Sequence, residues 1–553
     1  MLRASSRRLI AFLVVMLATA ALSTFAARGA GPKFYRDDPL SREPETANAS
    51  KVEPRDVDLI PDLLLHMFTR RGDPAPNVRA KDINTIDEVP DSSWFTNRIY
   101  AHDLSIEQVV EGQIADPPPP SGRWTLIRPK SAGFSPGFTA KDSTGVVWFL
   151  SFDPKGYPQA STAAVAVATR LFWALGYNQV ESFITRIDPN QIDIDPNATI
   201  APRPGKRRKY RRDDLEAVLR LAARDADGSY RAVAGRLLPG KVVGPFKYYS
   251  TRRDDPNDIV PHEHRRSLRA LKVFGAWTNL VDMKAGNTLD TVVEENGRDI
   301  VRHYLQDVGS TFGTGANGPR DWDEGYEYLW QPDSMLKRLW SFGFALSPWQ
   351  TIPYQELPQV GRFEGDEFNP EAWVPRVPTP ALVRARADDT FWAALRVTAF
   401  SDEQIRAAVH AGSFSDPAAE KLLADVLIKR RDAIGRAYLA KVTPLTQFAF
   451  DGSALTFHNV ATDVVKLPPP DGGYSAEWFA FDNATGESRS LGKSESTSLT
   501  LRAPSGVTAG KGGYMRVAVA ARDSHHHDWV PVDVYFRRTG AGWTLVGLER
   551  LPA

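Results

Sequence analysis

The sequence contains no cysteine among its 553 residues. The chain must therefore be stable without disulfides, and a thiolate nucleophile or thiolate metal site is excluded. An excess of one charge is also missing, since 68 Lys and Arg residues stand against 67 Asp and Glu residues. A balanced charge gives no general electrostatic case for binding nucleic acid or a membrane surface. A partner has to be inferred from a specific site.

Long apolar runs are missing everywhere except at the N-terminus. Three arginines, at positions 3, 7 and 8, precede an apolar run from Leu9 to Leu22, and small residues follow around Ala26. This order is typical of a secretory signal peptide, which predicts that residues 1–26 are removed and that the protein is periplasmic or secreted. The alternative is an uncleaved anchor, because the run approaches the length of a membrane span. We expect no membrane span after cleavage.

The remaining sequence has enough apolar material for several folded units. Hydrophobic residues make up 42% of the chain and include 14 Trp. A chain of this length exceeds what one core usually fills, so about three or four units are expected. Residues 27–122 are polar and irregular, with a stiff tract at 117–120, and we interpret them as an extension that wraps around the rest.

Residues 123–250 begin with short strands. Apolar alternation predicts strands at 124–127, 137–139 and 146–152, separated by Gly and Pro turns. A helix is predicted from Ser161 to Gly176, because apolar residues recur there at helical spacing. Strands followed by one helix also occur in many small α+β proteins, so this pattern alone indicates no function.

The most informative stretch contains Asp282, Lys284 and Asn287 and is followed by an apolar strand that ends at Asp307, Val308 and Gly309. Two acids and an amide on neighbouring backbone segments can converge on one magnesium-phosphate unit. Phosphoryl transfer needs such an arrangement, because it depends on positioning and charge neutralisation. The alternative is a buried hairpin whose Asp and Asn side chains cap turns.

This spacing resembles the catalytic loop and the metal-binding Asp of protein-kinase-like enzymes. The resemblance covers residues 120–440 and implies ATP and Mg²⁺ as cofactors. It implies that Asp282 accepts the proton of the acceptor hydroxyl and that Lys284 contacts the γ-phosphate. It also implies that Asn287 and Asp307 are the metal ligands.

A second stretch, from Trp148 to Asp153, is similar to an exported, largely uncharacterised bacterial group of kinase-like proteins. In that group this strand carries a Lys that grips the phosphates, and a helix acid holds the Lys. Ser151 and Val165 stand at these positions here. The resemblance leaves two alternatives. Either the protein is a pseudokinase, or a Lys from an adjoining strand or loop substitutes, with the candidates Lys130, Lys141 and Lys155.

Basic residues dominate one short segment, where seven of the eleven residues from Pro202 to Arg212 are Lys or Arg. This segment is either a solvated insertion or a docking patch for an anionic partner. Further on, His262 and His264 flank a Glu, but positions two apart on a helix do not face one site, so we predict no zinc there. The arginines on either side are expected to pair with nearby acids at 254, 255 and 258.

Residues 251–443 are predicted to form a helical lobe. An amphipathic helix from Ser267 to Val281 leads into Asp282, and further helices are expected at 381–399, 402–411 and 417–441. Residues 444–553 contain six short alternating runs, which favour a small β-sandwich.

The predicted fold is therefore α+β, with a two-lobed protein-kinase-like domain followed by a small all-β, sandwich-like domain. The predicted function is transfer of the γ-phosphate of ATP to an unknown hydroxyl acceptor outside the cytoplasm. The alternative is a catalytically dead kinase-like fold that serves as an envelope scaffold or polymer-binding protein.

Overall fold

The computed structural model describes residues 31–552 except 70, 131–134, 204–205, 343, 506, 508–511 and 541. The predicted signal peptide and the first residues of the glycine-containing loop at 133–137 lie outside this range. Residues 31–122 are largely irregular but contain two helices that the sequence analysis did not predict, α1 (Leu59–Phe68) and α2 (Ile106–Glu111). This segment contacts both the C-terminal part and the middle of the chain: Phe34 packs on Tyr535, and the Trp94 ring stacks on His303 at 3.5 Å.

A mostly antiparallel sheet follows the extension together with one long helix. Its elements are β1 (Trp124–Pro129), β2 (Gly137–Lys141), β3 (Val147–Phe152), α3 (Ala160–Ala174), β4 (Ser182–Ile187), β5 (Ile192–Ile194), β6 (Thr199–Arg203), β7 (Lys206–Lys209), α4 (Arg212–Leu219) and β8 (Tyr230–Arg236). The strands pair in the order β4-β8-β3-β2-β1-β5, and β6 pairs with β7 as a separate hairpin. Of the described strand pairs in this sheet, only that of β1 with β5 is parallel. Residues 188–229 are thus inserted between two neighbouring strands of the sheet.

Local sequence explains how α3 is attached to this sheet. In β3, Trp148, Leu150 and Phe152 are buried and alternate with more exposed residues, as expected for a strand with one covered face. The buried carboxylate of Asp153 then accepts hydrogen bonds from the Thr162 amide and hydroxyl, both at 2.8 Å. These contacts hold the first turn of α3 close to the end of β3.

A second, largely helical region follows. Its elements are β9 (Lys241–Gly244), α5 (Arg266–Arg269), α6 (Leu271–Thr278), β10 (Thr288–Glu295), β11 (Arg298–Leu305), β12 (Thr314–Gly315), β13 (Gly318–Pro319), α7 (Pro332–Trp340), α8 (Pro380–Val383), α9 (Ala387–Thr398), α10 (Asp402–His410) and α11 (Pro417–Tyr438). Helix α6 packs between α9 and α11, and Phe274 and Trp277 are fully buried there. The predicted helix at 267–281 is therefore two short helices that end earlier, and α7 was not predicted.

The C-terminal region is all β apart from one helical turn. It comprises β14 (Leu445–Phe450), β15 (Ala454–Asn459), α12 (Val460–Asp463), β16 (Tyr474–Phe481), β17 (Ser488–Ser496), β18 (Thr500–Arg502), β19 (Tyr514–Ala521), β20 (Val532–Thr539) and β21 (Gly542–Glu549). One sheet has the order β14-β15-β18 and the other β17-β16-β19-β20-β21. Side chains from both sheets share one core, in which Phe450 lies 5.5 Å from Trp478 between ring centroids. The prediction of a mixed α+β body with a separate all-β region is confirmed.

Membrane spans were also sought in the part of the chain that the structure describes. No helix there is both long enough and apolar enough to cross a bilayer.

Candidate functional site

Helix α6 leads the chain into the predicted site. The helix ends at Asn279, which adopts a left-handed conformation with a φ of 53°. The Asn279 side-chain oxygen accepts a hydrogen bond from the Trp373 indole at 2.8 Å. Further along, the Thr379 hydroxyl donates to the carbonyl of Met283 at 3.1 Å. Residues from a distant part of the chain therefore hold the loop that follows α6 in place.

Within this loop, the three predicted residues contact one another. The Lys284 ammonium lies 2.8 Å from a carboxylate oxygen of Asp282. The Asn287 side-chain amide donates to the backbone carbonyl of Asp282 at 2.6 Å. The loop is thus closed on itself, and Asp282 has only 13% of its side-chain surface exposed. A turn at Ala285–Asn287 then passes directly into β10.

The second acidic residue is joined to the same loop through the backbone. The Asn287 carbonyl accepts hydrogen bonds from the amides of Gln306 and Asp307, both at 3.1 Å. Strands β10 and β11 pair along their length, with Thr288 opposite Leu305, so the hairpin returns the chain to the loop. Asp307 is exposed, and one of its oxygens accepts from the Gly309 amide at 3.1 Å. The structure therefore brings Asp282, Lys284, Asn287 and Asp307 together.

Several charges act on Asp282. Burial raises the pKa of its carboxyl, but Lys284, Arg320 and Arg376 lower it more, so the pKa lies below its usual value. Both of these arginines are also within 3.3 Å of Glu324. Burial raises the pKa of Glu324, and the negative charge of Asp282 adds to the rise. Asp282 is therefore held as a carboxylate among three cations.

Arg320, Glu324 and Arg376 were not predicted from the sequence. They lie 38 or more residues beyond Asp282 and have no spacing pattern that connects them to it. Arg376 is joined to the loop because its amide donates to the Val281 carbonyl at 3.0 Å.

Of the three candidate lysines, Lys130 has an electrostatic interaction with Asp307. It follows β1, and its ammonium donates to the side chain and the carbonyl of Ser135. Surrounding protein lowers the pKa of Lys130, while the negative charge of Asp307 acts in the opposite direction. The side chain of Lys130 is exposed and lies within electrostatic reach of Asp307.

The other two lysines lie in different places. Lys141 is the last residue of β2 and pairs with Thr125, whereas the end of β2 beside Ser151 is Gly137. Four residues separate the two ends, which is about 13 Å along a strand. Lys155 follows β3, where its amide donates to the Leu221 carbonyl in the insertion. The structure joins neither side chain to Asp307, so its geometry favours Lys130 among the three.

Ser151 and Val165 stand at the positions where the resemblance implies a Lys and an acid, and the structure shows what surrounds each of them. Ser151 lies at the end of β3 opposite Gly137, and its hydroxyl is 3.4 Å from the Ser135 hydroxyl. Val165 lies on the side of α3 that faces Gly309: a Cβ added to Gly309 would be 2.8 Å from a Val165 methyl group. An apolar contact therefore stands where an acid would face the segment after Asp307.

The donor set suits a magnesium ion better than a zinc ion. Among the described residues, no three His, Cys, Asp or Glu side chains gather into a metal site. The candidate ligands are instead the Asp307 carboxylate and the Asn287 amide oxygen. Since the side-chain nitrogen of Asn287 already donates a hydrogen bond to the Asp282 carbonyl, the side-chain oxygen is the atom that could bind a metal ion. Mg²⁺ prefers oxygen ligands and typically binds through one or two protein groups together with phosphate and water.

The basic segment forms the hairpin of β6 and β7 and is partly neutralised by its own neighbours. Arg208 makes two hydrogen bonds of 2.6 Å to Asp214, and Arg212 lies 3.7 Å from Glu216. Lys206 and Arg207 are exposed.

No protein-family model matches the chain, and no curated protein matches its sequence. Solved structures that resemble it include the Helicobacter pylori proinflammatory kinase CtkA, with 10% identity and a TM-score of 0.28 over 56% of this chain and 96% of that one. The Golgi casein kinase with Mn and ADP bound has 9% identity and a TM-score of 0.27 over 61% and 78% of the two chains. A further Golgi casein kinase structure has 10% identity and a TM-score of 0.27 over 62% and 78%.

Proposed function

We propose that this protein transfers the terminal phosphoryl group of ATP to a hydroxyl acceptor. One observation carries the proposal: Asn287 binds the backbone of Asp282 through its side chain and the backbone of Asp307 through its carbonyl. These hydrogen bonds join the two segments that carry the carboxylates of Asp282 and Asp307 and the amide of Asn287. Phosphoryl transfer needs such a fixed set, because catalysis depends on positioning and on charge neutralisation.

Asp282 is proposed to accept the proton of the acceptor hydroxyl. Its lowered pKa keeps it ionised at neutral pH, and Lys284 holds its orientation. Arg320 and Arg376 add positive charge on the acceptor side of the loop, where negative charge develops during transfer.

Asn287 and Asp307 would hold the metal ion, and Lys130 would contact the nucleotide phosphates from the sheet above. A magnesium ion held by these two residues would supply positive charge that neutralises the phosphates. Lys130 follows β1, whereas the expected Lys position is on β3 and is occupied by Ser151. Lys130 would therefore replace the expected Lys.

A thermal-shift measurement tests the nucleotide half of this proposal. Mg²⁺ with ATP should stabilise the wild type by about 2.7 kcal/mol at a hundredfold excess over the dissociation constant. Asp307→Ala should abolish this stabilisation, whereas Asp193→Ala, an exposed acid at the far edge of the sheet, should retain it. A wild type that does not respond to millimolar nucleotide would contradict the proposal.

A second candidate function is that of a non-catalytic scaffold that has kept the fold. Ser151 and Val165 favour it, because together they remove both members of the phosphate-gripping ion pair. Loss of both members leaves no buried charge unpaired, so the fold can survive without the activity. Phosphoryl transfer from labelled ATP by the wild type would exclude this candidate.

We further propose that the protein is exported and that the exposed basic hairpin at 206–207 contacts an anionic partner. Export is supported by the order of basic, apolar and small residues at the N-terminus. Intact-mass analysis of the protein from the envelope fraction should give a chain that begins near Ala27 or Gly31. Retention of Met1 or Leu2 would reject cleavage.

A further inference from the structure

Helix α7 is attached to the protein by its polar side. Arg338 donates to both carboxylate oxygens of Glu327, at 3.1 and 2.9 Å. Ser347 and Trp349 donate to the same carboxylate at 2.9 Å each. Glu327 is buried, so the two contacts from Arg338 hold α7 and the two from Ser347 and Trp349 hold the segment that follows it. A surface helix normally has the opposite orientation, with its apolar side toward the core.

The apolar side of α7 and the turn after it therefore face solvent. The structure describes all nine residues of the helix, and none of them is buried. The exposed apolar residues are Met335, Leu336, Leu339, Trp340, Phe342 and Phe344, and we call them the α7 apolar face. Contiguous exposed apolar surface of this kind is rare on soluble proteins and marks an interaction site.

The segment that leads into α7 is connected to the candidate site by backbone hydrogen bonds. Just before α7, the Leu329 amide donates to the Arg376 carbonyl at 2.8 Å, and the Arg376 amide in turn donates to Val281, the residue before Asp282. Trp330 follows Leu329, and its ring lies 5.7 Å from the ring of Phe68 at the end of α1. Helix α1 itself packs against the turn at 285–287. Exposed apolar residues thus flank the loop that holds Asp282.

The shape of the face indicates what covers it. Trp340, Phe342 and Phe344 are 81%, 91% and 89% exposed, so their rings project outward and do not line a groove. A protein partner would need a matching pocket for each ring, whereas the interface of a bilayer admits projecting side chains of any shape. Trp, Phe and Leu with an exposed Lys337 are typical of helices that lie in the interfacial plane. The attraction is apolar, which agrees with the balanced charge of the chain.

We propose that the α7 apolar face inserts into the interface of a lipid bilayer and that the acceptor hydroxyl is carried by a lipid headgroup. The choice of acceptor rests on the proposed phosphotransferase function, whereas the insertion does not. In the reaction, the headgroup oxygen forms a bond to the γ-phosphorus and the bond from that phosphorus to the β–γ bridging oxygen breaks. The hydroxyl proton passes to Asp282. The products are ADP and a lipid phosphate monoester.

Labelling at a single cysteine tests the insertion in the full chain, because the natural sequence has no cysteine. Phe344→Cys would carry an environment-sensitive fluorophore, and Ser488→Cys on the exposed strand β17 would be the control. On addition of phosphatidylcholine vesicles, the fluorescence of the label at 344 should shift to shorter wavelength and brighten several-fold, and that of the label at 488 should not change.

Adding the substitution Trp340→Glu should greatly reduce the fluorescence response at 344. Since Trp340 is exposed, this variant should melt at the wild-type temperature. An unchanged label at 344 would overturn the insertion. This local readout is independent of membrane binding by the N-terminal apolar run.

Labelled ATP with the same vesicles tests the acceptor. Vesicles whose lipids carry free headgroup hydroxyls, such as diacylglycerol or phosphatidylinositol, should yield label in the organic phase, and Trp340→Glu should reduce that yield at least tenfold. Transfer to soluble hydroxyl compounds or proteins, but not to lipid, would overturn the lipid acceptor and leave the phosphotransferase function standing. Insertion at 344 without any stabilisation by Mg²⁺ and ATP would instead contradict the phosphotransferase function and leave the insertion standing.

Discussion

Asp282 and Asp307 have different surroundings, and the difference separates their proposed roles. Asp282 is nearly enclosed and is paired with Lys284, whereas Asp307 is exposed and accepts a hydrogen bond from the amide of Gly309 within its own turn. An enclosed, oriented carboxylate suits proton transfer, and an exposed one suits a metal ion that arrives with the nucleotide.

The first prediction follows from this difference. Asp282→Asn keeps the size of the side chain and can still accept from Lys284, but it cannot take a proton. Mg²⁺ and ATP should therefore bind as to the wild type, while transfer of labelled phosphate should fall by about 10² to 10⁴. Equal transfer rates for the two proteins would show that Asp282 is not the base.

The second prediction concerns Lys130, which is proposed to replace the Lys expected at position 151. Lys130→Met removes a charge within reach of Asp307. Since a hydrogen bond to a charged group contributes about 1.5–3 kcal/mol, ATP affinity should fall about 10- to 100-fold. Titration calorimetry measures this loss.

Lys141→Met is the matched control, because it removes the same charge from the same sheet at the far end of β2. Its ATP affinity should equal that of the wild type. An equal loss in both variants would show that the effect is a general one of charge and not a contact at Lys130.

At the scale of elements, the third prediction joins β3 and α3. Ser151→Lys with Val165→Glu supplies the ion pair that the chain lacks, on a strand and a helix that Asp153 already holds together. We expect the double variant to bind ATP about tenfold more tightly and to turn over faster, because a charged pair then grips the phosphates. Binding calorimetry and labelled ATP measure the two effects.

Each single variant is the control for the pair. Val165→Glu alone places an unpaired acid against the turn at Gly309 and should lower the melting temperature. If the double variant binds ATP no better than the wild type, the absent pair is not what limits this site.

Elements with strong local patterns were predictable from the sequence, and those without were not. The strands near Trp148 and the helix near Leu171 have regular apolar spacing. The loop from Asp282 to Asn287 has a specific spacing of Asp, Lys and Asn. By contrast, β17 is mostly polar and exposed, so apolar alternation does not reveal it. Helix α7 turns its apolar side outward, so its apolar residues are not the buried ones, as they usually are in a surface helix.

Ion pairs show the same limit over longer distances. Arg265 and Arg266, which follow His264, were expected to pair with acids at 254, 255 and 258, and Arg265 does lie 3.6 Å from Asp258. Arg266, however, binds Asp87, Asp388 and Asp389, which are more than 100 residues away along the chain. Charge counts cannot identify such partners, because the fold alone brings them together.

At the scale of the whole molecule, these buried ions connect the extension to the helical region. Arg265 contacts Glu43 at 3.1 Å as well as Asp258, and His264 contacts Asp73 at 3.0 Å. The extension thus supplies carboxylates to basic residues that lie just ahead of α6. Since α6 leads into Asp282, residues 31–122 support the candidate site indirectly.

The last prediction tests how far this network stabilises the fold. Burial raises the pKa of Asp258, but His262 and Arg265 lower it more, so the pKa lies well below its usual value. A lowered pKa contributes stability that is present above the unfolded value of about 3.9 and is lost as the pH falls toward the folded value. Asp258→Asn should reduce the free energy of unfolding by about 3 kcal/mol at neutral pH, because the buried guanidinium of Arg265 loses a charged partner.

The difference between wild type and Asp258→Asn should narrow below about pH 4, since the wild type then loses the same interaction. Asp193→Asn is the control, because Asp193 pairs with Arg123 on the surface and both side chains are more than half exposed. This variant should stay within about 1 kcal/mol of the wild type throughout. Urea unfolding at a series of pH values measures all three proteins. A difference for Asp258→Asn that does not change with pH would mean that the loss comes from the altered hydrogen bonds of the side chain and not from its charge.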